Sequence, residues 1–218
     1  SEAGKTTFEV DENTGALKSL CLDGEELLAS PVTISLFRPA TDNDNRDRMG
    51  AKLWRKAGLH TLTQKVVSLK ESKTSATAQV NILNVTGKKV GDATLKYTLN
   101  HNGSLKVQTT FQPDTTWVKS IARLGLTFEM NDTYGNVTYL GRGEHETYID
   151  RNQSGKIGIY TTTPEKMFHY YVIPQSTGNR TDVRWVKLAD DSGKGCWIES
   201  DSPFQFSALP FSDLLLEK

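Results

Sequence analysis

Cysteine is nearly missing from this sequence. Two thiols, Cys21 and Cys196, stand far apart in 218 residues. That is too few for a disulfide framework or a zinc site, and both read as buried thiols. Excess charge of one sign is missing too. The 26 basic and 26 acidic side chains cancel, which argues against a broad nucleic-acid surface or an anionic membrane patch. No apolar run reaches the roughly 18 residues of a membrane helix. The polar start "SEAGKTTFEVDENTG" has neither an initiator Met nor the pattern of a secretory signal; we expect it to be a cut within a longer chain. No linker rich in Pro, Gly or Ser, no low-complexity tract and no internal repeat divides the sequence, so one domain over residues 1–218 is expected. There is no Gly-x-Ser-x-Gly elbow, no phosphate-cradling glycine loop and no Cys/His pair in a recognisable setting. The histidines His60, His101, His145 and His169 show no metal spacing.

What is present is the period of strands. "GALKSLCLDGEELL" alternates Leu17, Ser19 and Cys21 against Lys18, Leu20 and Leu22, then reaches Asp23-Gly24, a strong hairpin signal. "ATAQVNILNV" and "ATLKYTLNHNGSLKVQTTFQ" repeat the alternation, the latter turning through Asn100 to Gly103. "IARLGLTFEM", "KIGIYTT" and "GCWIES" read as further strands, with Thr and Val abundant where strands want them. Helix is scarce. "AKLWRKAGL" is the one candidate, with Leu53, Trp54 and Ala57 inward, Lys52, Arg55 and Lys56 outward, and Gly58 as the stop. Strands about every ten residues with turn signals predict an all-β antiparallel sandwich or barrel.

Three polar stretches are candidates for chemistry. In "FRPATDNDNRDRMG", Asp42 and Asp44 are spaced like the start of a calcium loop. The sixth and twelfth positions hold Asp47 and Leu53 where Gly and Glu are required, so a long polar loop is the better reading. In "YLGRGEHETYIDR", Glu144, Glu146 and Asp150 could supply the two carboxylates, about 5–10 Å apart, of a glycosidase. Close neighbours in sequence seldom face each other that way, and Arg142 and Arg151 could instead neutralise these acids in a network. In "YYVIPQSTGNRTDVRW", Tyr170, Tyr171 and Trp185 could stack on a sugar while Gln175, Asn179, Arg180 and Asp182 bond its hydroxyls. The competing reading is a turn at Thr177-Gly178-Asn179 with core aromatics on either side. Six Asn-x-Ser/Thr sequons, at Asn84, Asn102, Asn131, Asn136, Asn152 and Asn179, matter only in a eukaryotic secretory pathway.

Taken in order and spacing, "FRPATDNDNRD", "LWRKAGL", "RLGLTFEM", "YLGRGEHETYIDR", "YVIPQSTGNRTDVRW" and "FQFSALPFS" resemble the C-terminal, small-chain domain of bacterial β-galactosidases of glycoside hydrolase family two. The resemblance covers nearly the whole chain. It implies an antiparallel supersandwich akin to galactose mutarotases, with at most one or two short helices. It also implies that the catalytic glutamates of a retaining mechanism lie on a preceding (β/α)₈ barrel; no residue here matches either, and none here is expected to hold a metal or cofactor. This domain would then wall the active-site pocket and support a homo-oligomer, its partners being β-galactosides and the preceding domains of the same chain. The whole enzyme would use magnesium and sodium and be cytoplasmic or periplasmic, a choice the sequence leaves open.

Carried over residue by residue, Asp42, Asn43, Asp44, Asn45 and Arg46 stand near the pocket, on a mobile loop running from Asn45 to about Lys52. The family's "RAPTDNDxG" is altered: Pro39 and Ala40 are swapped and Arg46 replaces Gly. Glu144 and Ser176 stand where the family has Pro and Glu. Gln175, Asn179, Arg180, Asp182 and Trp185 match as sugar-facing or structural residues. Arg142 and Arg151 are expected to pair with Glu146 and Asp150 and fix a strand-turn-strand corner. The family continues past "SALPFS" into strands bearing a sugar-stacking tryptophan, so the sheet is expected to lack its last strands. Two rival readings stay open at this point. A free-standing carbohydrate-binding module needs a platform such as Trp117, Trp185 or Tyr170. A mutarotase-like enzyme needs His169 to converge with Glu199 or Asp201.

Overall fold

The computed structural model describes residues 5–46 and 50–217. Among the described residues there are thirteen strands in three antiparallel sheets, and only one α-helix exceeds a turn. Contacts gather the chain into two compact units: Ser1–Arg38 with Asn43–Met130, and Pro39–Asp42 with Asn131–Lys218.

The first unit has two sheets. One takes the order β1 (Thr6–Val10), β2 (Leu17–Leu22), β4 (Leu28–Ser35), β9 (Gly125–Met130), with the short β3 (Glu25–Glu26) also paired to β2. The other is a meander of β5 (Leu62–Glu71), β6 (Ser75–Asn84), β7 (Lys89–Leu99) and β8 (Leu105–Pro113). Alternation sets the inner face: Ala76, Ala78, Val80 and Ile82 of β6 are buried, as are Ala93, Leu95 and Tyr97 of β7. The sheets meet at Gly15, whose φ is +69° and where a Cβ would lie 2.7 Å from the Ala78 methyl. Only glycine serves there, and the buried Tyr97 hydroxyl donates to its carbonyl at 3.0 Å. Gln64 bridges the same seam, accepting from Ile34 N–H at 2.7 Å and donating to the Thr14 carbonyl at 2.9 Å.

Both hairpin signals close as expected. Asp23 and Gly24 have φ of 54° and 82°, the double left-handed geometry of a type I′ turn. The β7–β8 turn closes through Gly103 N–H to the Asn100 carbonyl at 3.0 Å, below the Leu99–Leu105 pair. Pro31 concealed β4 from a reading by pattern; it sits at a register shift against β9, where a missing N–H is tolerated.

Helix α1 (Gly50–Ala57) ends at Gly58, φ +70°. Leu59 N–H reaches the Trp54 carbonyl and Gly58 N–H the Arg55 carbonyl, which is a Schellman closure. Its buried face is Ala51, Trp54 and Ala57, every third residue. Leu53, expected inward, is 41% exposed, because each residue advances about 100° and Leu53 falls off that stripe.

The second unit is one four-stranded sheet, β11 (Lys156–Thr162), β10 (Asn136–Gly143), β12 (Arg180–Ala189), β13 (Gly195–Phe206) in spatial order. Val137, Tyr139, Val183 and Val186 pack with Met167 of the single-turn helix α2 (Pro164–Met167), flanked by Tyr160, Phe204 and Phe206. Cys21 and Cys196 are half-buried, not buried. Burial pushes the Cys196 thiol up to about 11, which holds it protonated at neutral pH.

Candidate functional site

Two of the three polar stretches, "YLGRGEHETYIDR" and "YYVIPQSTGNRTDVRW", meet at the end of β10 and the start of β12. β10 carries "YLGRG" as its last five residues, and the chain then bends through "EHETYIDR". Within that bend Glu146 points inward. Its Oε1 accepts from Tyr171 O–H and from Arg151, and its Oε2 accepts from Gly178 N–H at 2.9 Å and Thr177 O–H at 3.3 Å. Burial pushes the carboxyl pKa up, but the hydrogen bonds from Tyr171, Gly178 and Arg151 outweigh it, and the group stays below its ordinary value. Gly178, at φ +74°, makes that approach: a Cβ would stand 2.9 Å from the Met167 carbonyl oxygen. Arg151 also lies over the Tyr148 ring, 4.9 Å from its centroid. Burial pushes the Tyr148 hydroxyl up to about 12.

A second network sits beside the first. Arg142 pairs with Asp182, not with Glu146 or Asp150, and donates to the Gly155 carbonyl at 2.9 Å. Asp182 has φ 52°, a left-handed conformation that Asp tolerates better than most residues. Arg180 is almost fully buried. It donates to the Tyr139 hydroxyl at 2.8 Å and to the carbonyls of Gly178, Asn179 and Glu144 at 3.1–3.3 Å. Buried cations need such saturation. Thr147 completes the seam: its N–H reaches the Asn179 carbonyl at 2.9 Å and its hydroxyl meets that of Thr181 at 2.9 Å. Asn179 returns an N–H to the Thr147 carbonyl at 2.8 Å and another to Gln205 at 2.9 Å.

These bonds define what the arrangement can do. Glu146, Arg142, Arg180, Asp182 and Asn179 are engaged in holding two strand ends and a bend together. Glu144 and Asp150 are exposed, so the three carboxylates of the bend do not converge as an acid/base pair. Among the described residues no group of three or more His, Cys, Asp or Glu is placed to hold a metal ion.

The loop residues separate between the units. Asp42, in the second, donates its N–H to Gln175 Oε1 at 3.4 Å. In the first, Asp44 pairs with Arg38 at 2.6 Å, and Asn45 accepts from Arg55 at 2.9 Å. Asn43 and Arg46 are exposed. Of the rest of the expected mobile segment, 47–49 lie outside the described residues and 50–52 open helix α1. Among the aromatics, Trp185 stacks on Trp197, with centroids 4.3 Å apart. Trp117 donates to the Lys89 carbonyl at 3.0 Å and has Lys88 over its ring. Tyr170 is 81% exposed, not a core aromatic. His169 packs edge-on against Tyr171, while Glu199 takes the Trp197 N–H at 3.0 Å. Sequence reasoning did not foresee Tyr171, Thr177 and Gly178 as the ligands of Glu146. The one local signal was Gly178 in a turn, which marks backbone free to approach an anion.

Comparison with known proteins agrees with this chain-wide pattern. A family model described as "Beta galactosidase small chain" matches residues 2–218. A β-galactosidase of Priestia megaterium is 31% identical over 95% of this chain and 20% of its own length. Those of Kluyveromyces lactis and Lactobacillus delbrueckii subsp. bulgaricus are 29% and 30% identical over 94% and 91% of this chain. The chain spans about a fifth of the length of the curated relatives it matches.

Proposed function

The chain belongs to the β-galactosidase small-chain family, and from that premise we propose that it serves as the C-terminal domain of a retaining β-galactosidase acting on terminal β-D-galactosides. The match over residues 2–218 carries the proposal. In this reading the acid/base and nucleophilic glutamates belong to a (β/α)₈ barrel outside this chain. The magnesium and sodium that the resemblance implies belong there too.

The domain's own part is to shape the pocket wall. Asp42, Asn43 and Arg46 are exposed and can meet substrate. Asp44 and Asn45 anchor the base of their loop on Arg38 and Arg55. Gln175 holds the other end through Asp42. The corner around Glu146 and Arg180 is scaffolding within the second unit. Assembly into a homo-oligomer belongs to the same reading.

The test is turnover of a nitrophenyl β-D-galactoside. A clean preparation of these 218 residues should release no nitrophenol, whereas the same chain extended by its preceding domains should. Measurable turnover by the chain alone, or none by the extended protein, would refute the proposal.

A further inference from the structure

The tip of the β7–β8 hairpin carries the one Asn-Gly pair in the sequence, Asn102-Gly103. Its hydrogen bonds converge on a single carbonyl oxygen. Asn102 Oδ1 accepts from the Ser104 N–H at 3.0 Å and from the Ser104 hydroxyl at 2.7 Å. That hydroxyl is aimed there because its own oxygen accepts from the Asn100 side-chain N–H at 2.9 Å. An Asn oxygen bound to the N–H two residues on folds the side chain back over the intervening peptide. Here that peptide is the one joining Asn102 to Gly103, so Asn102 Cγ is brought toward the Gly103 nitrogen. Gly103, at φ +81°, has no Cβ to crowd an approach between them.

A second asparagine shows what the pattern lacks without glycine. Asn84 Oδ1 accepts from the Thr86 N–H at 3.1 Å and from the Thr86 hydroxyl at 2.8 Å. The residue between is Val85, whose branched side chain crowds its own nitrogen. The Asn84 amide is also tied to the Ala57 carbonyl at 3.1 Å. At Asn102 nothing of this kind intervenes. Two donors already meet the oxygen on which charge would develop if Cγ were attacked, and such donors stabilise an oxyanion. We propose that Asn102 is a self-modifying site, at which the Gly103 nitrogen attacks Asn102 Cγ while Ser104 stabilises the oxyanion at Oδ1. In the step, the Gly103 N–H leaves its bond to the Asn100 carbonyl and gives its proton to hydroxide. The nitrogen–carbon bond forms and the Cγ–Nδ2 bond breaks. Nδ2 departs as ammonia with a proton from water, which regenerates the hydroxide. Water then opens the cyclic imide at either carbonyl. The product is aspartate, or isoaspartate with the chain rerouted through Cγ. Asn100 is a positioning residue, acting through the Ser104 hydroxyl. The inference rests on this hairpin alone, independent of the β-galactosidase reading.

Incubation of the folded 218-residue chain in mildly alkaline buffer, with peptide mapping over time, tests it. Aspartate and isoaspartate should accumulate at position 102 and not at position 84. Hydroxylamine added to the same buffer should capture the imide and cut the chain between residues 102 and 103. Ser104→Ala should slow the reaction about fivefold, the worth of one hydrogen bond, and Ser104→Thr, which keeps a hydroxyl, should restore it. Asn100→Ala should slow it in the Ser104 background and change nothing once Ser104→Ala is present. These substitutions lie in a surface turn, so the fold should survive them. An Asn102 that stays intact in the folded chain would overturn the proposal and make the turn a clamp that protects the amide. So would a Ser104→Ala chain that reacts as fast as wild type or faster, or equal modification at positions 84 and 102.

Discussion

Glu146 is held by four donors, and two of its bonds come from groups that no carboxylate finds by chance: a backbone N–H presented by left-handed Gly178 and a tyrosine hydroxyl. Because its pKa in the folded chain lies below the ordinary 4.5, it binds fewer protons folded than unfolded over that interval. Its stabilisation is therefore complete above about pH 4.5 and fades as pH falls through the lowered folded value. The gap in urea midpoint between wild type and Glu146→Gln should be widest at neutral pH and narrow below that value. A gap that keeps its width under acid would show that the charge contributes nothing. Arg151→Ala should cost about 1–3 kcal/mol, the range for hydrogen bonds to a charged partner, since it strips Glu146 of a cation and leaves Tyr171 a single bond. An unchanged melting temperature would remove the corner's structural role. The residue types in this bend were legible in the sequence, but their pairing was not. Asp182, forty positions away, outcompetes Asp150 for Arg142 because β12 runs antiparallel beside β10.

At the scale of elements, helix α1 gives a direct comparison. Trp54 is buried, donates to Ser120 at 3.0 Å and stands edge-on to Phe37. Trp54→Ala should cost about 3–5 kcal/mol, whereas Leu53→Lys should fall within about 0.5 kcal/mol. Equal losses from the two would mean the helix presents a different face. Gly15→Ala tests the seam of the first unit. It combines a left-handed φ with a methyl driven against Ala78 and Val80, so a loss above roughly 2 kcal/mol is expected; chemical denaturation reads it directly. Strands with clean alternation, such as β6 and β7, were visible in the sequence because side-chain direction repeats every two residues. β4 was hidden by its proline, and the continuation of β13 past "GCWIES" by a run of polar residues opposite a register shift. There the ladder is interrupted, and with it the pattern a reader depends on.

For the whole molecule, the question is whether these residues bind sugar unaided. Asn179 gives its N–H groups to Thr147 and Gln205, Arg180 is buried, and Trp185 is covered on one face by Trp197. The groups that could have read hydroxyls are largely satisfied within the fold. Saturation-transfer NMR with galactose and lactose at millimolar concentration should therefore show no transfer to sugar. Clear transfer, lost on changing one aromatic, would establish an autonomous sugar site and overturn that reading.

The sequence by itself determined the class of fold, the two hairpin turns and the family, because each is written in local alternation, in turn chemistry or in the order of short motifs along the chain. Tertiary structure alone decided which arginine meets which acid, which residues ligate Glu146, and that Trp185 stacks on Trp197. Those facts depend on strand register. Register brings together residues ten to forty positions apart, and no local pattern encodes a partner at that distance.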